Sequence, residues 1–234
     1  MKNKLLKYIN CNKKCVVSLV SKLIEIPTVN PPGENYEEMA CFLERECKNL
    51  GLSTKKHITP ENILRKFGIK GGSKRVSLVA DLNIEAKKTF HINSHYDVVP
   101  ATDKWDTDPF KAIVRSNRIY GRGSEDMKGT IASVLFALKA LQDCAIKPKI
   151  NIQLSFTPDE EIGGRTGLGY LVSKGLVKAD YAMSEGYSGD HISIGNKGVL
   201  WAEVDTICKS AHGSTHYKGV NSFERMNMLV NELL

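Results

Sequence analysis

The chain has no apolar run approaching the roughly 18 residues of a membrane-spanning helix, so no membrane span is expected. Its amino terminus, Met1-Lys2-Asn3-Lys4-Leu5-Leu6-Lys7, is basic, but no apolar stretch follows, and a secretory leader is not expected. Cysteine is sparse: six residues, at 11, 15, 41, 47, 144 and 208, are scattered without the spacing of a disulfide framework. That fits a reducing cytosol and makes a cytoplasmic location the expectation. Cys11 and Cys15 lack a partner pair at zinc-ribbon spacing, so two thiols on one face near a helix start are the better account. Also missing is a basic stripe with interleaved aromatics. The net charge of +7 comes from lysines spread along the chain. Solvated faces account for it better than a nucleic-acid surface. What remains is ordinary globular composition, 41% hydrophobic and 25% charged, over 234 residues. That length makes one large domain or one and a half.

Hydrophobic periodicity organises the chain. Val16, Leu19, Leu23 and Ile26 predict a helix over 14–26, stopped by Pro27, and Pro31-Pro32-Gly33 is a loop. Met39, Leu43, Cys47 and Leu50 predict a second helix over 35–50, with Gly51 suited to its C′ position. Residues 76–82 and 88–94 read as strands, the second delivering His95 to a strand end. The clearest helix covers 127–144, through Ile131, Val134, Leu138 and Leu141. Ile150, Ile152, Leu154 and Phe156 alternate with polar residues in a strand that stops before Pro158. A helix near 164–174 and a short strand ending at Ser184 follow. This alternation predicts an α/β sheet with helices on both faces and a site at the carboxyl ends of its strands.

From His191 the character changes. Residues 192–194, a turn at 195–198 and residues 199–207 read as a hairpin entering a new unit, followed by an amphipathic helix over 222–234. A helix with a strand or two cannot enclose a core, and no capping residue follows the helix. The C-terminus is therefore expected to be the cut edge of a second domain.

Chemistry-bearing residues cluster where strands end. His95 and Asp97, two apart, share a strand face, as a metal-bound imidazole backed by a carboxylate requires. His91, one step further back, is structural because it sits inside the sheet. Asp126 follows a glycine-rich turn, Gly121-Arg122-Gly123, and opens the long helix. It reads as an N-cap, as a carboxylate bridging two metals, which needs a tight backbone there, or as both at once. Glu160 and Glu161 are adjacent, so both reach one site only from an irregular turn, which Pro158 and Gly163 supply. One glutamate can then bind metal while the other serves as a general base. A solvated acidic loop is the alternative for that stretch taken alone. Glu185, followed by Gly186, adds a further ligand at a strand end.

Together with Ile26-Pro27-Thr28-Val29-Asn30-Pro31-Pro32, Trp105 with Asp108-Pro109-Phe110, and Ile194-Gly195-Asn196-Lys197-Gly198, these motifs resemble the M20 metallopeptidase and amidohydrolase family. The likeness is strongest to the acetylornithine deacetylase and succinyl-diaminopimelate desuccinylase branch, and runs from about Leu19 to the last residue. It implies a zinc-peptidase-like mixed sheet flanked by helices, then the start of an α+β, ferredoxin-like lid and dimerisation domain. Residues 1–196 would be the catalytic domain and 197–234 an incomplete lid. Carried over residue by residue, it implies that His95 and Glu185 bind one zinc and Glu161 another, with Asp126 bridging. Asp97 would orient His95, Glu160 would be the general base, and His212 would stabilise the oxyanion. Cobalt is expected to substitute for zinc.

Glu rather than Asp at 185 matches the deacylase and carboxypeptidase branches. Two departures count: His216 stands where relatives commonly have proline, and relatives continue past this point to supply a final histidine to the second metal. The expectation is an amidohydrolase removing acetyl or succinyl from an N-acyl amino acid, a homodimer through the lid if that is complete, with no nucleic-acid or membrane partner. The alternatives are a carboxypeptidase or dipeptidase of the same superfamily, or an inactive truncated relative serving as a binding or interface module.

Overall fold

The computed structural model describes residues 2–102, 104–184, 197, 198, 200 and 202–233. The chain divides into two compact units, Met1–Tyr187 and Ser188–Leu234. The first unit runs α1 (Lys2–Cys11), α2 (Lys13–Ile24), α3 (Tyr36–Asn49), β1 (Ser53–Ile58), α4 (Glu61–Lys66), β2 (Val76–Leu82) and β3 (Thr89–His95). It continues with β4 (Ile113–Arg115), β5 (Arg118–Tyr120), α5 (Lys128–Asp143), β6 (Asn151–Thr157), α6 (Leu168–Ser173) and β7 (Tyr181–Met183).

Five strands form one sheet in the order β1-β2-β6-β3-β7, and β4 and β5 form a separate hairpin. β3 runs parallel to β6 and β7, whereas β2 is antiparallel to both β1 and β6. This is an α/β sheet, as the alternating pattern predicts, and the mixed, helix-flanked sheet that the family resemblance implies. Register gives the sheet two unlike faces. Ile92 pairs with Leu154, so even-numbered residues of β3 and β6 share a face. On it Ile152, Leu154 and Phe156 join Leu23 and Ile24 of α2, Met39 and Leu43 of α3, and Ile131, Leu135 and Leu138 of α5 in one core. Each such side chain stabilises the fold by roughly 1.5–3 kcal/mol.

The odd-numbered residues make the other face polar. The ring nitrogens of His91 contact Gln153 Oε1 and Ser155 Oγ, both at 3.0 Å. Asn93 donates to Ser155 Oγ at 2.9 Å and to Thr157 Oγ1 at 3.1 Å. His91 is thus held inside the sheet by hydrogen bonds, and His95 ends β3 on the same face.

Where the local signal is strong, elements fall as expected. α3 closes with Gly51 N–H bonded to Lys48 C=O at 2.9 Å and Leu52 N–H to Cys47 C=O at 3.1 Å, the terminator its sequence calls for. Five elements carry no readable sequence signal. β1 carries Lys55 and Lys56 and little apolar alternation, as suits an edge strand that must not recruit another chain. The β4–β5 hairpin turns on Ser116 and Asn117, both at positive φ, without the Asn-Gly pair that marks such turns. α1 is polar and buries no residue, and α4 is only six residues long.

In the second unit α7 (Ser222–Leu233) forms as expected. Residues 192–196, 199 and 201 of the expected hairpin lie outside the described residues. Residues 202–207 are in no strand, which corrects that reading. Alternation can set a strand's faces but not provide the neighbouring backbone it needs, and a single bridge pairs Lys209 with Val220 instead. No described residue of this unit is buried. No helix among the described residues is long and apolar enough to cross a membrane.

Glu44 ties α3 to β1. Its carboxylate meets Lys56 at 2.8 Å and Lys48 at 3.0 Å, and these bonds pull its pKa down to about 2. A depressed carboxylate contributes stability above its ordinary pKa and loses it as pH falls through the folded value. Glu44→Gln is expected to cost about 1 kcal/mol or less at pH 7, with the difference shrinking between pH 5 and pH 2 and absent below. Urea denaturation of both proteins across that range checks this.

Candidate metal centre

β6 ends at Thr157, and Asp159 at φ +64° and Gly163 at φ +99° bracket a 3-10 turn over Glu160–Ile162. These two left-handed residues break the strand's alternation, so both glutamates reach the end of β3. Glu160 Oε2 lies 3.8 Å from His95 Nε2. Asp97, fully buried, holds the turn in place. Its Oδ1 accepts the Glu160 N–H at 3.1 Å and its Oδ2 the Glu161 N–H at 3.2 Å.

Asp97 also faces the imidazole. His95 Nδ1 lies 3.0 Å from the Asp97 backbone carbonyl and 3.4 Å from its Oδ1. Both of those oxygens only accept, so Nδ1 carries the ring hydrogen. Nε2 in turn faces Asp126 Oδ1 at 2.9 Å. A neutral imidazole would set lone pair against lone pair across that gap. The contact therefore requires a proton between the two atoms, on the ring or on the carboxyl, or a metal cation in its place. The bond from His95 holds the Asp126 carboxyl below its ordinary pKa.

Asp126 is not the N-cap of α5. Met127 occupies that position, joined to Asp126 by a cis peptide bond, and the aspartate carboxylate turns to His95. Gly123 makes the approach feasible: it sits at φ +79°, and a Cβ there would come within 2.6 Å of Val98 Cγ1. His95, Asp126 and Glu161 each offer one donor atom, and the three atoms lie within 4.8 Å of one another. One imidazole and two carboxylates suit zinc and neighbouring divalent ions such as cobalt. Glu185 lies outside the described residues.

His212 belongs to the second unit. Its Nδ1 accepts the Ser214 N–H at 3.3 Å, which leaves the hydrogen on Nε2, the tautomer of a donor. Behind the turn lies a network that local sequence patterns do not reveal. Asp159, fully buried, accepts from Arg75 Nε at 3.1 Å, Tyr36 OH at 3.2 Å, Asn30 Nδ2 at 3.1 Å and Thr166 Oγ1 at 2.5 Å. Lys128, also fully buried, donates to the Ile26 carbonyl at 2.7 Å. Burial pushes its pKa down to about 7, partly opposed by Asp97. Asp159 and Lys128 stand inside the motifs themselves, but their partners lie up to 129 residues away.

Known proteins resemble this chain in sequence and fold. The profile of Peptidase family M20/M25/M40 matches residues 91–215. An uncharacterized metallohydrolase of Methanocaldococcus jannaschii is 35% identical over 93% of this chain and 56% of its own length. Aminoacylase-1 of Sus scrofa is 28% identical over 93% of this chain and 53% of its own. Among solved structures, an M20 family metallo-carboxypeptidase from Sulfolobus solfataricus superposes with a TM-score of 0.62 at 29% identity, over 74% of this chain and 37% of its own. The chain belongs to peptidase family M20/M25/M40. It spans about half the length of the curated relatives it matches.

Gly123→Ala is expected to lower stability by about 1–3 kcal/mol, because the added methyl meets Val98 in a backbone conformation that disfavours it. Chemical denaturation measures the loss.

Proposed function

We propose that this chain carries the metal centre of a zinc-dependent amidohydrolase that removes an acyl group from an N-acyl amino acid. Acetyl or succinyl is the acyl group, with N-acetylornithine and N-succinyl-diaminopimelate as representative substrates. The observation that carries the reading is the grouping of one donor atom each from His95, Asp126 and Glu161 within 4.8 Å, with both glutamates delivered there by one anchored turn. The aminoacylase relatives support the acyl-amino-acid substrate class. In this reading residues 1–196 form the catalytic domain and 197–234 open a lid through which two subunits pair.

His95, Asp126, Glu161 and Glu185 would hold the metal. When bound, zinc supplies Lewis-acid chemistry, polarising the amide carbonyl and lowering the pKa of water. Glu160 takes a proton from the attacking water as the new C–O bond forms. It then gives that proton to the departing amine nitrogen as the C–N bond breaks. Asp97 fixes the imidazole and both glutamate backbones, so the base does not have to be ordered during the reaction. His212 donates its Nε2 hydrogen to the developing oxyanion.

A second reading, a carboxypeptidase, is favoured by the solved structure from Sulfolobus solfataricus. Zinc-loaded protein assayed on N-acyl amino acids and on simple dipeptides separates the two; faster turnover of the N-acyl compounds is expected. Glu160→Gln is expected to lower kcat by about 10²–10⁴-fold while zinc uptake is unchanged. A Glu160→Gln protein with full activity would sink the assignment of the base. Metal analysis addresses the interface-module reading: two tightly held zinc ions per chain argue against it, one or none for it.

A further inference from the structure

The stretch Ile26-Pro27-Thr28-Val29-Asn30-Pro31-Pro32 has no role in the chemistry above, yet it is laid directly against the site. Asn30 N–H bonds to Val98 C=O at 2.9 Å and Val98 N–H to Thr28 C=O at 3.0 Å, forming a short parallel bridge beside Asp97. Thr28 Oγ1 donates to the Tyr96 carbonyl at 2.5 Å. This strap brings the Asn30 side chain, itself buried, between two buried carboxylates. Its Nδ2 donates to Asp97 Oδ2 at 2.9 Å and to Asp159 Oδ1 at 3.1 Å.

The orientation of this amide follows from its surroundings. Reversed, it would turn its carbonyl oxygen toward two carboxylates. As placed, both amide hydrogens are used, and Asn30 Oδ1 is buried with no hydrogen-bond partner. An unmatched buried carbonyl is costly, so the bridge between the two acids outweighs it. A neutral donor also suits the place. Asp159 already has Arg75, and Lys128 lies close enough to Asp97 to feel its charge. A third cation would have no counter-charge of its own, and an acid would repel both neighbours.

We propose that Asn30 is a positioning residue of the metal centre. Its amide ties Asp97, which backs the imidazole and holds the Glu160 and Glu161 amides, to Asp159, which pins the start of the turn bearing both glutamates. The role in catalysis rests on the function proposed above; the mechanical role does not. Tyr36 provides the contrast, because its hydroxyl also donates to Asp159 but makes no bond to Asp97.

The test is NMR-detected hydrogen exchange of the Glu160 and Glu161 amides in protein prepared without metal, comparing wild type, Asn30→Ala and Tyr36→Phe. Asn30→Ala is expected to speed exchange of those two amides by about tenfold or more, as losing a bond to an ionised group would. Tyr36→Phe is expected to leave them within a factor of about 2 of wild type. Should Asn30→Ala fail to fold, Asn30→Ser, which retains one donor for the two acids, is expected to give an intermediate rate. Zinc affinity, measured by competition with a chromophoric chelator, should fall about 10–100-fold in the Asn30 variant and stay unchanged in Tyr36→Phe. Equal effects of the two substitutions, or unchanged amide exchange in the Asn30 variants, would overturn the proposal. Zinc uptake that His95→Ala does not alter would count against the proposed function alone, since the exchange data stand without metal.

Discussion

One carboxylate accepting two successive backbone amides is the constraint on which the site depends. Asp97 takes the Glu160 and Glu161 N–H groups on separate oxygens while its own carbonyl takes the imidazole hydrogen of His95. Side chains at the tips of long rotamers are poorly placed unless their backbone is fixed, and here one buried group fixes three of them. Bonds to an ionised acceptor are stronger than neutral ones and more so where water is excluded. Geometry at this rim is therefore set by a residue that reaches the cleft through its neighbours.

Burying such acids is expensive, and the surrounding residues are arranged to meet that cost. Asp159 has a guanidinium, a phenol, an amide and a threonine hydroxyl around it. Arg75 in turn gives three of its four remaining hydrogens to the carbonyls of Pro32, Gly71 and Ser73. Apart from Asn30 Oδ1, the groups around Asp159 are paired; with one member lost, an uncompensated charge would remain in a dry place. Rigidity behind a site that must hold adjacent glutamates on one side of an irregular turn is what the chemistry calls for.

How much of this the sequence discloses depends on how local the cause is. β3, β6 and α5 are readable because the apolar spacing that buries them is contained within each segment. The α/β class follows from their alternation, and the motifs identify the family, whose resemblance implies the mixed sheet. His95, Asp126, Glu160 and Glu161 stand out because ligand-type residues close each strand, and the structure brings these four together. The partners of Asp159 were not readable. Asn30, Tyr36 and Arg75 reach it across 129, 123 and 84 residues, distances at which periodicity carries no information. The N-cap alternative for Asp126 failed for a related reason: a nearby imidazole outcompeted the helix end for its carboxylate. Of the strand expected over 199–207, the described residues 202–207 are in no strand.

The reversed direction of β2 has a consequence for how this rim can vary. In an all-parallel sheet, loops entering strands lie at the far edge from loops leaving them. Because β2 runs against β6, the segment between β1 and β2 turns at the same edge as the glutamate turn. It is fastened there twice, by Thr59 Oγ1 to the Thr166 carbonyl and by Arg75 to Asp159. Residues 60–74, which include α4, thus form a connection held at one foot to Asp159, at the start of the glutamate turn, and at the other to Thr166 just after it. Closure entropy grows slowly with loop length, so the short stretch between α4 and Gly71 can lengthen or change charge at little thermodynamic cost. The outline of the rim is free to drift while the two fastenings, and the turn beneath them, stay where they are.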